Sequence, residues 1–325
     1  MLKFFGFAVT LLIAITVQAN EQQLAFDNYV AGLKSEAIAK GYDETFLAPA
    51  FATIKMRERV IKRDRNQPER KITLTEYLRT RVPDWKVKQA VELLNEHLTV
   101  LDAVERQYGV QKRFIVALWG NESNFGRIQG KVPVLSALAT LAFEGRREAL
   151  FRRQFFDALA ILQAGHVELA SFTGSWAGAM GQSQFLPSSF LAYAVDFDGD
   201  SRTDIWNSTA DVFASIANYL ASEGWNGSQT WGRQVSLIDP DLSQLAGLNR
   251  KAAKDLSEWQ LLGVRRFDGR DLPRVAMQAN LVMPDGPEGR AYLVYNNFQT
   301  LMRWNRSSYF GVSVAYLSER IKKGS

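Results

Sequence analysis

Trp119-Gly120-Asn121-Glu122-Ser123-Asn124-Phe125-Gly126 is the stretch on which the reading of this chain turns. Leading into it, Phe114, Leu118 and Glu122 recur at intervals of four, and Ile115, Trp119 and Glu122 at four and then three. Those intervals mark one face of a helix, so the Glu122 carboxyl shares a face with bulky hydrophobes. Poor solvation disfavours a carboxylate and raises its pKa, which is the state a general acid needs near neutral pH. Gly120 and Gly126 bracket the residue and predict that the helix ends nearby, opening the carboxyl onto a cleft. The same spacing also suits a structural Glu paired with an Arg such as Arg127, or a polar residue at a fraying helix end.

Outward from this run the pattern is mainly helical. Apolar residues at three-and-four spacing, broken by Gly, Pro or Asn, predict helices over 26–40, 45–61, 86–108, 112–121, 134–143, 146–163, 188–195 and 211–221. After Trp225-Asn226-Gly227 the texture changes. Strands are predicted over 235–238, 275–283 and 291–295, with Pro284-Asp285-Gly286-Pro287-Glu288-Gly289 as a turn and a short helix over 251–262. Helical spacing returns over 300–323. The expected class is mainly α with a small β component: a helical body over 20–230, a mixed α/β insertion over 231–290, and a segment over 291–325 that returns to the body.

Residues 1–19 read as an export signal, with Lys3, an apolar run from Phe4 to Val17, and Val17-Gln18-Ala19 as a small-residue cleavage site. The run is shorter than the roughly 20 residues of a membrane span, so removal after Ala19 is expected. An uncleaved anchor is the alternative. The sequence contains no cysteine, which excludes disulfides, a cysteine nucleophile, a cysteine-ligated zinc site and lipid attachment through cysteine. With two histidines, His97 and His166, a histidine-rich metal cluster is excluded as well. Neither lies near a nucleophile elbow.

The formal net charge is +5, and its excess gathers between Lys55 and Lys88. Such a stretch attracts polyanions by long-range steering, or forms a solvated helix face paired with Glu58, Asp64, Glu69 and Glu76. No catalytic role is assigned to it. Export argues against nucleic acid and favours a wall glycan as the polyanion met. Farther along, Asp196, Asp198 and Asp200 alternate like the first, third and fifth ligands of a calcium loop, with the Arg202 carbonyl and Asp204 at later ligand places. The twelfth residue is Asn207 where a bidentate Glu is usual, so the standard loop fails. An Asx-rich turn is the other reading of these residues.

Three ordered motifs carry a resemblance. Trp119-Gly120-x-Glu122-Ser123-x-Phe125-Gly126, then Gly174-Ser175-Trp176-Ala177-Gly178-Ala179-Met180-Gly181-Gln182-Ser183-Gln184-Phe185-Leu186-Pro187-Ser188-Ser189-Phe190, then Asp196-Phe197-Asp198-Gly199-Asp200, closely resemble the lytic murein transglycosylase B family. The likeness runs from Arg65-Asn66-Gln67-Pro68-Glu69 to Trp304-Asn305-Arg306-Ser307-Ser308-Tyr309-Phe310. It implies a lysozyme-like helical core, a periplasmic soluble enzyme, and cleavage of peptidoglycan glycan strands. Glycosidic cleavage usually takes two carboxylates. The family is understood to use one Glu, here Glu122, with the muramic 6-hydroxyl closing on C1 to leave a 1,6-anhydro end.

The resemblance also implies site residues. Ser175 and Gln184 match sugar-binding positions, where the residues alone would read as an N-cap and a backbone-bonded amide. Met180 and Phe185 match pocket-lining positions and otherwise read as core. Tyr77 and Tyr219 match aromatic groove positions, and Trp304, Asn305 and Phe310 match a Tyr-Asn…Tyr element, from which Trp304 and Phe310 depart by lacking the hydroxyl. Arg146 and Arg147 match a basic pair suited to a lactyl or stem-peptide carboxylate, or are solvated first-turn residues. For calcium, the family closes a lengthened loop with a carboxylate on the next helix. Asp211 fits that role beside Asp196, Asp198, Asp200 and the Arg202 carbonyl. A hydrolytic muramidase and a non-catalytic, calcium-dependent wall-binding protein are the rival functions.

Overall fold

The computed structural model describes residues 3–65 and 72–324, with the side chains of 3–19 and of residue 250 left out. The expected family likeness over 66–69, and the start of the expected signal, lie outside the described residues. In chain order the helices are α1 (Lys3–Ala39), α2 (Glu44–Ala52), α3 (Glu58–Arg65), α4 (Leu74–Arg81), α5 (Asp84–Glu96), α6 (Leu98–Tyr108), α7 (Lys112–Ser123), α8 (Val134–Glu144), α9 (Glu148–Gln163), α10 (Pro187–Tyr193), α11 (Thr209–Ser222), α12 (Leu256–Leu261), α13 (Asn296–Trp304) and α14 (Ser308–Lys323). The strands are β1 (Val132–Pro133), β2 (Thr173–Gly174), β3 (Gly232–Leu237), β4 (Lys254–Asp255), β5 (Val264–Arg266), β6 (Gln278–Val282) and β7 (Ala291–Val294). The chain is thus mostly helical with a small sheet. Among the described residues, no helix is long and apolar enough to cross a membrane.

Two compact units are formed, each from two stretches of chain. The first comprises Met1–Pro68 and Gln129–Ala192. Its centre is α8, whose residues Val134 to Ala142 are all buried, packed along α9 and touched by α1 and α3. A helix apolar on every side needs neighbours on every side, which is why this one is central. The short β1–β2 pair joins Val132 to Gly174 and Pro133 to Thr173.

The second unit comprises Glu69–Ile128 and Tyr193–Ser325. Here α7 is the buried helix, packed against α5, α6, α11 and α14. An antiparallel sheet in the order β4-β6-β7-β3-β5 belongs to the same unit. Its register pairs Leu281 with Leu293 and Val235 with Ala291, so one face stacks Val235, Val264, Leu281 and Leu293 on Trp259 of α12. Trp259 has no exposed surface, and its indole N–H is satisfied by the Ala279 carbonyl at 2.9 Å.

The elements differ from the sequence expectation at several joints. The helix expected over 45–61 is two helices, α2 and α3. The helix expected over 86–108 breaks at His97, whose φ of −99° and ψ of 18° end α5 and begin α6. The helix expected over 300–323 breaks after Trp304, where Asn305 is extended and Ser307 caps α14. Helix α4 and strand β5 were not expected at all.

Candidate active site

Glu122 is the penultimate residue of α7. The helix stops because Asn124, Phe125 and Gly126 take successive positive φ values of 51°, 58° and 79°. Asn tolerates this left-handed backbone, whereas Phe125 is strained there. The strain is held by packing: the Phe125 ring folds back on Trp119 at 5.4 Å between centroids. It also lies over Gly120, where a Cβ would come within 2.6 Å of the ring. Ser123 completes the stop by accepting from the Gly126 N–H at 2.9 Å. The motif residues around Glu122 therefore build a rigid helix end that presents one carboxyl.

That carboxyl is half-buried and closely surrounded. Burial pushes its pKa up to about 7, against the opposing effects of a hydrogen bond from Trp304 and the positive charge of Arg81. The Trp304 indole Nε1 donates to Glu122 Oε1 at 2.6 Å. Trp304 packs edge-on to Tyr219 at 4.7 Å, and Tyr219 lies 4.6 Å from Tyr193. Burial raises the Tyr219 pKa far above its usual value. Tyr77 lies on α4 with the Arg81 guanidinium 5.6 Å from its ring and Tyr309 edge-on at 5.5 Å. Asn305 is exposed at the end of α13 and accepts from the Ser307 N–H, while Phe310 is buried in α14. Glu122, Trp304 and Tyr219 are thus brought together, and Phe310 is core.

In the same unit the acidic loop leads into α11. Carboxylate oxygens of Asp196, Asp198 and Asp211 converge within 4.8 Å of one another. Asp211 is fully buried and accepts from the Phe197 and Asp204 N–H groups at 2.8 and 2.7 Å, tying the loop to α11. Its pKa is raised by burial, with the Asp198 charge adding to the effect. Asp200 lies outside that trio and accepts from the Arg202 N–H at 2.8 Å. Asp204 is turned inward, accepting from the Trp206 and Asn207 N–H groups at 2.9 Å.

The second motif belongs to the first unit and forms a tight turn. Ser175 Oγ accepts from the Ala177 and Ala179 N–H groups at 3.3 and 3.0 Å, inside a turn closed by Ser175 N–H to Ala179 O at 2.8 Å. Gly174 is required there, since a Cβ would fall 2.3 Å from the Ala179 carbonyl oxygen. Met180 and Phe185 are buried and face each other through a backbone bridge. Gln184 has a φ of 51°, and its Nε2 donates to the Gln129 and Gly181 carbonyls at 3.1 and 2.9 Å. These four residues are brought together. Arg146 and Arg147 converge elsewhere in the unit on Asp64, which is 1 % exposed, with Arg147 at 2.5 Å and the Arg146 Nε at 3.1 Å.

Residues 25–319 match the family model of the transglycosylase SLT domain. The chain belongs to the transglycosylase SLT domain family. It is 32 % identical over 245 residues to the membrane-bound lytic murein transglycosylase B of Escherichia coli K12, an alignment covering 74 % of this chain and 64 % of that protein. The chain therefore spans less than two thirds of that relative's length. Among solved structures it resembles SltB3 of Pseudomonas aeruginosa in complex with NAG-anhNAM-pentapeptide, with a TM-score of 0.88 and 40 % identity over 92 % of this chain and 80 % of that one. It also resembles the Escherichia coli lytic transglycosylase Slt35 in complex with calcium, with a TM-score of 0.79 and 27 % identity over 91 % and 93 %.

In this member of the transglycosylase SLT domain family, Arg81, Asp64 and Asp285 make contacts that no local sequence pattern announces. Arg81 acts on Glu122 through space, and its place four residues after Tyr77 is a helical signal that went unused. Asp64 was read only as a partner of a solvated face, yet it is buried between two arginines. Asp285 falls in the turn predicted over 284–289, and its carboxylate accepts from the Leu74 N–H at the start of α4, a contact with no local signal.

Proposed function

We propose that the chain is a lytic transglycosylase that cleaves the β-1,4 bond between N-acetylmuramic acid and N-acetylglucosamine in peptidoglycan. One observation carries this reading: Glu122 is set at the end of the buried helix α7 with the Trp304 indole donating to it, where burial pushes its pKa up to about 7 and the charged side chain acting on it is the cationic Arg81. Among the described residues, no acidic neighbour contributes to that shift. A lone protonated carboxyl suits a cycle that needs one group as acid and then as base.

In that cycle neutral Glu122 gives its proton to the glycosidic oxygen as the C1–O4 bond breaks. The resulting carboxylate takes the proton of the muramic 6-hydroxyl as O6 bonds to C1. Glu122 is thereby restored, and the product ends in a 1,6-anhydro ring. The anhydro sugar named in the SltB3 complex belongs to that protein and supports the same outcome here. Tyr77, Tyr219 and Trp304 offer ring faces for sugars, with Asn305 exposed at the end of α13, and Phe310 in the first turn of α14 backs them from the core. Ser175, Met180, Gln184 and Phe185 form the sugar-binding turn in this reading. Arg146 and Arg147, still partly exposed beside Asp64, receive a lactyl or stem carboxylate.

Calcium fits the acidic loop, because Asp196, Asp198 and Asp211 offer hard oxygen donors around one point. The ion supplies charge neutralisation that fastens the loop to α11 and enters no chemical step. The reading extends to export by residues 1–19 and action in the periplasm. Mass spectrometry of fragments released from purified peptidoglycan tests the function. Anhydro ends, lighter by one water than reducing ends, are expected from the earliest time points. Reducing ends in their place would establish a hydrolase.

A further inference from the structure

We infer that Trp304 is a positioning residue that fixes which oxygen of Glu122 carries the transferable proton. This rests on the proposed acid–base role of Glu122. An indole N–H is a donor only and has no lone pair to offer. At 2.6 Å from Oε1 it requires that oxygen to be an acceptor in both protonation states. When Glu122 is neutral its proton therefore sits on Oε2. When Glu122 is ionised the same contact becomes a charge-assisted hydrogen bond, the stronger kind. The bond thus persists through the cycle and favours the state formed as the leaving oxygen is protonated. The Tyr that the sequence resemblance implies here could donate or accept, and would leave the proton's place open.

The indole is held for this purpose. Trp304 ends α13 and packs on Tyr219 of α11, which packs on Tyr193. The Tyr193 hydroxyl donates to Glu223 at 2.6 Å, and Glu223 pairs with Arg303, the residue before Trp304, at 3.5 Å. This chain of contacts returns to the residue before Trp304, so the indole is held by Tyr219 and its backbone by the Arg303–Glu223 pair. Charged and titratable groups on the elements around these contacts include Arg81 on α4, Tyr193, Tyr219 and Glu223 beside α11, Arg303 on α13 and Tyr309 on α14. Arg81 is the one whose charge acts on Glu122.

Trp304→Phe keeps the ring and removes the donor. Turnover should fall about tenfold or more, as loss of a hydrogen bond to a charged group entails, with KM changed less than about threefold. The basic limb of the kcat–pH profile should move to higher pH, because the ionised form loses its donor. Trp304→Tyr should bring the limb part of the way back. A carbon-13 NMR titration of the Glu122 carboxyl in the free protein should show the same upward shift in Trp304→Phe. An unmoved titration in a folded variant would overturn the inference, as would a loss confined to KM, which is what a sugar platform alone predicts. The titration needs no turnover, so it separates this inference from the transglycosylase reading: wild type that releases no anhydro product defeats the reading and leaves the titration to decide the inference.

Discussion

Both carboxylate oxygens of Asp285 lie 2.9 Å from the backbone nitrogen of Leu74, the first residue of α4. Asp285 sits between β6 and β7, so the sheet reaches across the second unit to cap a helix that follows far earlier in sequence. Its carboxylate also accepts from the Tyr309 hydroxyl, whose pKa is pushed up to about 12 by burial and by that carboxylate. Thr73 accepts from the Glu76 N–H at 3.2 Å and completes the cap. Helix α4 carries Tyr77 and Arg81, so the sheet bears on Glu122 through this contact.

Asp285→Ala should therefore cost about 0.5–2 kcal/mol, the range for a lost helix cap. A drop of a few degrees in melting temperature is expected. Turnover should fall as well, since α4 is freed with its two site-facing side chains. A variant that melts and turns over like wild type would show that α4 holds its place without the sheet.

Glu122→Gln keeps the shape of the side chain and removes the proton. Activity should fall by at least about 10²- to 10⁴-fold, the usual worth of acid–base catalysis. The stability effect has a definite sign. Glu122 has a folded pKa of about 7, above its ordinary 4.5, so folding favours its protonated form. That preference is fully present below pH 4.5 and is lost as pH rises through 7. The Gln variant should thus melt above wild type at pH 8 and converge with it at pH 4. Melting curves at the two pH values, taken beside activity on peptidoglycan, check both effects.

Much of this was legible in the chain, and the failures have physical reasons. The setting of Glu122 at a buried helix end could be read because its signals are local, helical spacing before it and glycines around it, whereas its role came from the family resemblance. Helix α4 could not, because its short run has two buried residues, Leu74 and Leu78, and is completed by Asp285 from the sheet. The break at His97 was hidden because apolar spacing continues through it. Alternating Asp residues suggest Asp200 beside Asp196 and Asp198, but alternation does not report side-chain direction: the carboxylates that converge are those of Asp196, Asp198 and Asp211, and Asp200 accepts from the Arg202 N–H. Trp304 was legible as an aromatic. Its bond to Glu122 spans 182 residues, and no local pattern encodes it.

Calcium should raise the melting temperature without changing the chemistry. At about a hundred times its dissociation constant, an ion that binds only the folded state contributes about 2.7 kcal/mol. Magnesium should do less, since it demands a tighter octahedral shell. Asp198→Asn is the informative variant: Asp198 is exposed, whereas Asp211 also holds the Phe197 and Asp204 backbone. Melts with calcium, magnesium and chelator should differ in wild type and coincide in the variant. Coincident melts in wild type would leave the loop an acidic turn.

Lys86 should be a stability liability at neutral pH. It is 6 % exposed on α5, and burial, with the Arg81 charge added, brings its pKa down from 10.5 to about 8. The folded protein therefore releases this proton more readily than the unfolded chain does. Below pH 8 the penalty for holding a buried ammonium is fully in place, and it disappears as pH rises from 8 through 10.5. Lys86→Met fills the same space without charge. Replacing buried ion pairs by well-packed apolar groups is neutral or stabilising by about 1–4 kcal/mol, and removing a buried ammonium acts in the same direction, raising the melting temperature by up to several degrees. The variant should melt above wild type at pH 7, and the gap should narrow by pH 10. A gap of constant size would assign the gain to packing, and a less stable variant at pH 7 would show that the ammonium is held by a favourable partner.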